Sequence, residues 1–191
     1  MIFKRSFAIF VAALIIAGCG AESETSDGKK IVNIGHVGPL TGPIAHLGKD
    51  NERGAELAVD EANELDLVID GVPIQFRLLS EDDEANPQKA TVVAQKLVDS
   101  DIVGVVGHLN SGTTIPASTI YFDSGIPQVS PSATAITYTH QDYQTAHRVM
   151  ANDEQQGKVL GDYAVKTLGA KGIAIIDDRS AYGKGLADEF E

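Results

Sequence analysis

Hydrophobic and polar positions alternate along the chain with two periods that follow each other in turn. Short runs rich in β-branched and apolar residues, typical of strands, lie at 31–37, 73–83 and 102–107. Between them, 49–65 and 86–101 carry apolar residues at the spacing of one helix face, with charges on the other face. Strands and helices that alternate in this way predict a parallel, doubly wound α/β sheet.

Two of these segments carry more detailed expectations. The run at 102–107 is apolar throughout, which indicates a strand covered on both faces. The helix at 86–101 should begin with Asn86 as its N-cap and Pro87 in its first turn. The apolar face predicted for the earlier helix consists of Leu47, Ala55, Ala58, Ala62 and Leu65.

The same alternation continues beyond residue 107 with shorter strands. A helix that stops at Gly125 precedes a strand at 126–130, and a second helix covers 152–169, with Asn152 or Asp153 as its N-cap and Gly169 at its end. The apolar run at 172–178 then predicts one more buried strand. These elements extend the α/β pattern through the C-terminal part of the chain.

The first 18 residues have the pattern of an export signal. Lys4 and Arg5 precede an apolar stretch that is shorter than the roughly 20 residues needed to span a bilayer. The stretch ends in IAGC, which resembles the lipobox of bacterial lipoproteins, whose cysteine is acylated. We therefore expect a lipoprotein signal peptide over 1–18, a lipid anchor on Cys19 and a polar, flexible tether over 19–30. The alternative is an ordinary signal peptide with a chance cysteine.

Charge and cysteine content limit the classes of partner. Acidic residues outnumber basic residues by 27 to 15, which gives a formal net charge of −12. A surface of this sign repels nucleic acid and anionic lipid, so we expect no nucleic acid partner and no membrane contact beyond the lipid anchor. Cys19 is the only cysteine, so the chain can form no internal disulfide.

Two loops rich in small polar residues follow neighbouring strands of the predicted sheet. GHLNSGTTIP follows the strand at 102–107, and VSPSATA at 129–135 follows the strand at 126–130. Ligands of doubly wound sheets bind at this edge, and unpaired N–H groups at helix starts favour an anionic group such as a carboxylate. Ordinary Ser/Thr caps and turns are the alternative for one such loop. Two loops at adjacent strand ends favour a ligand site.

Other kinds of site have little support in the sequence. GHVGPLTG at 35–42 lacks the G-x-G-x-x-G spacing, and the chain contains no P-loop motif. Ser111 has His108 nearby but no G-x-S-x-G surroundings, and the five histidines lack metal-ligand spacing. The acidic run at 80–84 is typical of a solvated loop. We expect no cofactor, no metal, no catalytic residue and no enzymatic activity.

Five blocks of the sequence resemble the periplasmic leucine/isoleucine/valine-binding proteins of ABC importers. In order from Ile31 to the last residue, they are VNIGHVGPLTGPIAHLGKDNERGAELAVDEAN, SEDDEANPQKA, GVVGHLNSGTTIPAS, GIPQVSPSATA and IAIIDDRSAYGKGLA. The resemblance implies the type I fold, in which two α/β lobes joined by hinge crossings close over an amino acid. It also implies delivery of that amino acid to an ABC transporter permease. Together with the lipobox, it leads us to expect a membrane-anchored lipoprotein of the periplasm or cell envelope.

The resemblance further implies roles for five residues. The hydroxyl and amide of Ser111 would bind the ligand carboxylate, helped by the amide of Thr134. The carbonyl of Ser132 and the hydroxyl of Thr134 would hold the ammonium, with Ala133 against the ligand's backbone. Tyr182 would reach across from the second lobe. These groups would hold a zwitterion without doing chemistry on it.

The sequence departs from the family pattern in several places. Leu47 stands where members often have an aromatic residue, and Ala85 and Asn110 stand where some members have paired cysteines. The terminal YGKGLADEFE reads as the middle of a helix with no stop signal. We therefore expect a truncated chain with an N-terminal ligand-binding lobe over 31–150 and the start of a second lobe over 151–191. An acidic residue that completes the ammonium site is expected beyond that segment.

These observations lead to three functional hypotheses. The first is a receptor that captures an amino acid, of the branched-chain class, for an ABC importer. The second is a ligand-sensing regulatory module of the same fold that binds an amide or another small polar solute. The third is an exported enzyme. Intact ligand retention, as opposed to bond cleavage dependent on Ser111, separates the first two from the third.

Overall fold

A computed structural model describes residues 28–191, so the predicted signal peptide, Cys19 and most of the predicted tether lie outside the described residues. The strands are β1 (Lys30–Gly38), β2 (Val68–Ile69), β3 (Val72–Asp82), β4 (Ile102–Gly107), β5 (Gln128–Ser130) and β6 (Ala146–Arg148). The α-helices are α1 (Ala45–Glu64), α2 (Pro87–Val98), α3 (Ser111–Asp123), α4 (Ile136–Thr139), α5 (Asp153–Asp162) and α6 (Ala181–Phe190). A π-helical segment, Tyr163–Thr167, continues α5.

The six strands form one sheet in the order β2-β3-β1-β4-β5-β6. β1 lies between β3 and β4 and is parallel to both, and β5 and β6 extend the parallel part. Only the two-residue β2 is antiparallel, at the edge beside β3. The predicted α/β sheet is therefore confirmed. Its strand order reverses at β1, and this is where ligands of open α/β sheets bind, beyond the carboxyl ends of the strands.

Local sequence signals set the starts of several helices as expected. The side chain of Asn86 accepts hydrogen bonds from the N–H groups of Gln88 and Lys89, with Pro87 as the first residue of α2. Asn152 caps α5 in the same way through the N–H of Gln155. Each cap satisfies N–H groups that a helix start leaves without an internal partner.

The hydrophobic core lies on one side of the sheet, under α2 and α3. Its buried members are Val37, Val93, Ala94, Leu97, Ile102, Val105, Ala117, Tyr121 and Ile126. The other side is less covered. The prediction that β4 is covered on both faces is wrong at Val103, which is 54% exposed. The predicted apolar face of α1 is only partly correct, because Ala55 is buried whereas Ala58 and Leu65 are exposed.

The predicted buried strand at 172–178 is also wrong. This segment is irregular, and the side chain of Ile176 is 94% exposed. A strand needs a neighbour that pairs with its N–H and C=O groups, and no strand of residues 28–191 lies beside this segment.

The predicted helix at 152–169 changes from α to π geometry after Asp162. Among the described residues, no helix combines the length and apolar character needed to cross a membrane.

Candidate functional site

The loops that follow β4 and β5 lie together at the carboxyl edge of the sheet. Ser111 is the first residue of α3 and is 1% exposed, and its Oγ accepts a hydrogen bond from the N–H of Ala135 at 3.2 Å. The Oγ of Ser130 accepts hydrogen bonds from the N–H groups of Ala133 at 2.9 Å and Ser132 at 3.3 Å. The structure thus brings Ser111 and the segment 132–135 into one site, as expected from their positions after adjacent strands.

Arg148, at the end of β6, forms hydrogen bonds to the segment that follows β5. Its guanidinium donates hydrogen bonds of 2.8 Å to the carbonyls of Ala133 and Ala135 and to Oγ1 of Thr139. It also lies over the ring of Tyr138, 5.4 Å from the centroid. The carbonyls of Ala133 and Ala135 are therefore already bonded to Arg148 and are less available to a ligand.

The first helix also contributes to the site. Asn51 on α1 donates a hydrogen bond from Nδ2 to the Oγ of Ser132 at 2.9 Å. The carboxylate of Asp82, at the end of β3, accepts from the N–H of Leu40 at 2.8 Å and from Oγ1 of Thr41 at 2.6 Å. The Asp82 bonds hold the loop after β1 against the end of β3, and the Asn51 bond joins α1 to the loop after β5. Leu47, where the family often has an aromatic residue, lies in α1 and is 44% exposed.

Several buried polar atoms around the site have no hydrogen-bond partner within residues 28–191. They are Oδ1 of Asn110, Oγ1 of Thr134 and both carboxylate oxygens of Asp153. Asp153 is 1% exposed, and its N–H donates to the carbonyl of Thr134 at 2.9 Å. All of these atoms can accept a hydrogen bond. The site therefore presents acceptors, including one carboxylate, that suit a donor-rich cationic group.

Asp153 is the functional candidate that the sequence pattern does not reveal. In the sequence it is an alternative N-cap for α5, and the structure gives the capping role to Asn152. Burial lowers the pKa of Arg148, and electrostatic interactions with Tyr138 and then Asp153 oppose part of this lowering. Its closeness to Thr134 depends on how the chain returns from β6 to the site, which no local motif encodes.

Tyr182, the last of the predicted site residues, lies in the first turn of α6. It is 44% exposed and lines an apolar depression with Leu160, Ile176 and Leu186. Its neighbour Ala181 begins α6, and a Cβ placed on Gly112 of α3 would lie 3.7 Å from the Cβ of Ala181. The first turns of α3 and α6 therefore face each other. This contact brings the start of the Tyr182 helix to the Ser111 helix.

His108 does not form a catalytic pair with Ser111. Its Nδ1 lies 2.8 Å from Oδ2 of Asp83 and its Nε2 lies 3.3 Å from the hydroxyl of Tyr121. Both His108 and Asp83 are 0% exposed, so the imidazole is directed into the protein, and the expectation of a solvated acidic loop at 80–84 is wrong at Asp83. Between residues 28 and 191, no group of three or more His, Cys, Asp or Glu side chains is arranged to hold a metal ion.

Known proteins resemble this chain over most of its length. The amino acid binding protein of Pseudomonas aeruginosa is 42% identical over 158 residues, which cover 82% of this chain and 41% of that protein. The Leu/Ile/Val-binding protein homolog 1 of Brucella abortus is 38% identical over 181 residues, which cover 95% of this chain and 46% of that protein.

A solved structure gives the same result for the fold. The branched-chain amino acid transporter substrate binding protein LivJ from Streptococcus pneumoniae, in complex with isoleucine, matches with a TM-score of 0.75 and 34% identity, over 84% of this chain and 46% of that one. The chain thus spans about half the length of the relatives it matches. The family model described as periplasmic binding protein matches residues 31–191. The chain belongs to the periplasmic binding protein family.

Proposed function

We propose that this chain supplies the ligand-binding lobe of an extracytoplasmic receptor that captures an amino acid of the branched-chain class for an ABC importer. The names of its relatives support the class of ligand, since they include Leu/Ile/Val-binding proteins and an isoleucine complex. The family to which the chain belongs supports a location outside the cytoplasm. Capture and release without bond cleavage then describe the whole chemistry of the site.

The buried carboxylate of Asp153 is the observation that carries this proposal. A carboxylate that is buried without a partner is costly, because it has lost its hydration and gained no compensating hydrogen bonds. Among the described residues, the carboxylate of Asp153 and the hydroxyl of Thr134 are both buried without a hydrogen-bond partner. The two residues are connected by the hydrogen bond from the N–H of Asp153 to the carbonyl of Thr134. The ammonium of an amino acid supplies three donors and a positive charge, which answer both needs.

The other end of the ligand is assigned to the start of α3. We infer that the hydroxyl and amide of Ser111, with the amide of Thr134, bind the ligand carboxylate. The free N–H groups of a helix start and the helix dipole favour an anion at this position. The carbonyl of Ser132 also accepts a hydrogen bond from the ligand ammonium, and Ala133 packs against the ligand's backbone. Tyr182 reaches the ligand from the second lobe when the lobes close.

The partners of the receptor follow from the same proposal. Closure of two lobes over the amino acid presents a surface that the permease of the ABC transporter recognises. The lipobox at Cys19 tethers the receptor to the membrane through acyl chains, at about 0.8 kcal/mol per buried methylene. The tether over 19–30 then allows the receptor to reach the permease.

Titration calorimetry tests the proposal on protein that starts at Cys19, with Cys19 replaced by serine to prevent acylation. The protein is unfolded and refolded before the titration to remove any ligand acquired during expression. We expect saturable binding of leucine, isoleucine or valine with one site per chain. Binding of a small amide without any branched-chain amino acid would favour the ligand-sensing module, and turnover of the ligand would favour an enzyme.

A further inference from the structure

We propose that Ser130 is a positioning residue that ties the two ligand loops together, and that the Asp83–His108 pair anchors this tie to the sheet. The inference rests on the proposed function, because it concerns affinity for the same ligand. None of these three residues belongs to the set assigned to contact the amino acid. Their effect on binding is indirect and acts through the backbone of the two loops.

The hydroxyl of Ser130 bridges the two loops. It donates to the carbonyl of His108, in the loop after β4, at 2.8 Å. It accepts from the N–H groups of Ser132 and Ala133, in the loop after β5. Ser130 is 0% exposed, so water does not compete for these bonds. One hydroxyl thus fixes the position of Ser132 relative to the segment that presents Ser111.

A second bond beside Ser130 strengthens the same connection. Gln128, two residues earlier on the same face of β5, donates from Nε2 to the carbonyl of Gly107 at 3.0 Å. Gly107 has a φ of +138°, and a Cβ at this position would lie 2.3 Å from the carbonyl oxygen of Val37. The end of β4 is therefore held against β1 on one side and β5 on the other.

The Asp83–His108 pair anchors the loop after β4. Because the carboxylate of Asp83 can only accept, Nδ1 of His108 donates to it, and Nε2 lies 3.3 Å from the hydroxyl of Tyr121. The N–H of Asp83 donates to the carbonyl of Gly38 at 3.1 Å, and its Oδ1 accepts from Ala85. The carbonyl of His108 is thereby placed where the hydroxyl of Ser130 meets it.

Loss of this tie should weaken binding because a loop that is free before binding must become ordered when the ligand binds. We expect Ser130→Ala to raise the dissociation constant for leucine about tenfold or more, as for removal of a buried hydrogen-bonding group. Ser118→Ala is the matched control. Ser118 is also buried, and its hydroxyl donates to the carbonyl of Ile115 within α3 and accepts from Nε2 of Gln141, so these two bonds do not join the segment after β4 to residues 130–135. Its dissociation constant should stay within about twofold of the parent.

A pair of substitutions at His108 tests the anchor. His108→Asn keeps a donor near the position of Nδ1, whereas His108→Gln places its donor near the position of Nε2. Both remove the imidazole; the Asn variant keeps a partner for the carboxylate of Asp83, and the Gln variant keeps one for the hydroxyl of Tyr121. We expect the Asn variant to bind leucine more tightly than the Gln variant by about fivefold or more. Equal dissociation constants would overturn the role of the Asp83–His108 pair.

Hydrogen exchange on the ligand-free protein separates this inference from the proposed function. In Ser130→Ala, we expect faster exchange of the amides of Ser132 and Ala133 and of the segment around residue 108, with no such change in Ser118→Ala. If the parent protein binds no amino acid, the proposed function fails, and the exchange result still decides the tie between the loops. Equal exchange rates and equal affinities in Ser130→Ala and Ser118→Ala would overturn the inference that Ser130 ties the two loops together. If Ser130→Ala does not fold, the isosteric Ser130→Cys, whose thiol is a weak donor, takes its place.

Discussion

Asp153 and His36 are two buried polar residues to which we assign different roles. Both are at most 1% exposed, and neither the carboxylate oxygens of Asp153 nor the ring nitrogens of His36 have a hydrogen-bond partner in the described part of the chain. Asp153 lies beside Thr134, and in the proposed function its carboxylate accepts hydrogen bonds from the ligand ammonium. His36 lies within β1, where burial keeps the imidazole neutral.

Asp153→Asn should separate binding from stability. We expect the affinity for leucine to fall by the 1.5–3 kcal/mol of a hydrogen bond to a charged group. We expect the ligand-free protein to unfold at a higher temperature, because the variant no longer buries a carboxylate without a partner. Calorimetry and thermal unfolding measure the two effects. Glu154→Gln, at the exposed neighbouring position, is the control and should change neither. Unchanged affinity in Asp153→Asn would remove this residue from the site.

His36 should make the protein less stable in mild acid. Burial lowers the pKa of His36 to about 4, with a further lowering by His108 and partial opposition by Glu52 and Asp83. Below the usual pKa of 6.5 the unfolded chain binds a proton that the folded protein does not, so the free energy of unfolding falls as the pH falls. Between pH 7 and pH 5 this amounts to about 2 kcal/mol.

The contribution of His36 is measured by urea unfolding at both pH values. In His36→Leu, the decrease in the free energy of unfolding between pH 7 and pH 5 should be smaller than in the parent by about 2 kcal/mol. The same substitution at His147, which is exposed, is the control and should leave the decrease unchanged. A parent and a His36→Leu variant that lose equal stability would show that His36 does not couple folding to protonation.

At the scale of elements, the contact between α5 and α6 depends on a glycine. A Cβ at Gly157 would lie 2.5 Å from the backbone carbon of Glu189, so the two helices approach at the position where α5 has no side chain. Gly54 in α1 is the opposite case, because a Cβ there meets nothing within 4 Å. Two helical glycines therefore have different reasons to be present.

Alanine substitutions should reveal this difference. Gly157→Ala should destabilise the protein by about 1–3 kcal/mol, because the added methyl forces α5 and α6 apart. Gly54→Ala should stabilise it by about 0.5–1 kcal/mol, because alanine loses less conformational freedom in a helix. Denaturant unfolding of the two variants against the parent measures both values. Stabilisation by Gly157→Ala would show that the helices do not pack as closely as the structure indicates.

Elements also show where local patterns succeed and fail as predictors. The caps of α2 and the loops after β4 and β5 were predictable because each depends on residues that are close in sequence. The segment 172–178 has the composition of a buried strand, yet it is irregular and largely exposed. A strand forms only with a neighbour, and composition does not state whether that neighbour is present.

At the scale of the whole molecule, the sheet order brings together loops that are far apart in sequence. The loops after β1, β4 and β5 meet at one edge because these strands are parallel and ordered around β1. The strongly acidic composition, with a net charge of −12, agrees with a partner that is a small zwitterion rather than a polyanion. The second lobe and its closure belong to the proposal for the complete receptor.

The lipid anchor gives a prediction at this scale. In a bacterial host, Cys19→Ser should leave the exported protein without acyl chains, so that it moves from the membrane fraction to the soluble fraction. Two or three acyl chains anchor a protein stably, whereas a polar tether does not. Fractionation followed by mass measurement checks both points. Equal recovery of parent and variant from membranes would contradict the lipobox and favour an ordinary signal peptide.

The sequence by itself determined the α/β alternation, the main helix caps, the two small polar loops and the family resemblance, since each depends on residues that are near one another in the chain. Only the tertiary structure decided that Ser130 bridges those loops, that Asp153 is buried beside Thr134 and that one side of the sheet stays partly open. Local order follows from the period of apolar residues and from turn chemistry. The partners of a buried polar group depend on segments that are far apart along the chain and meet only in the fold.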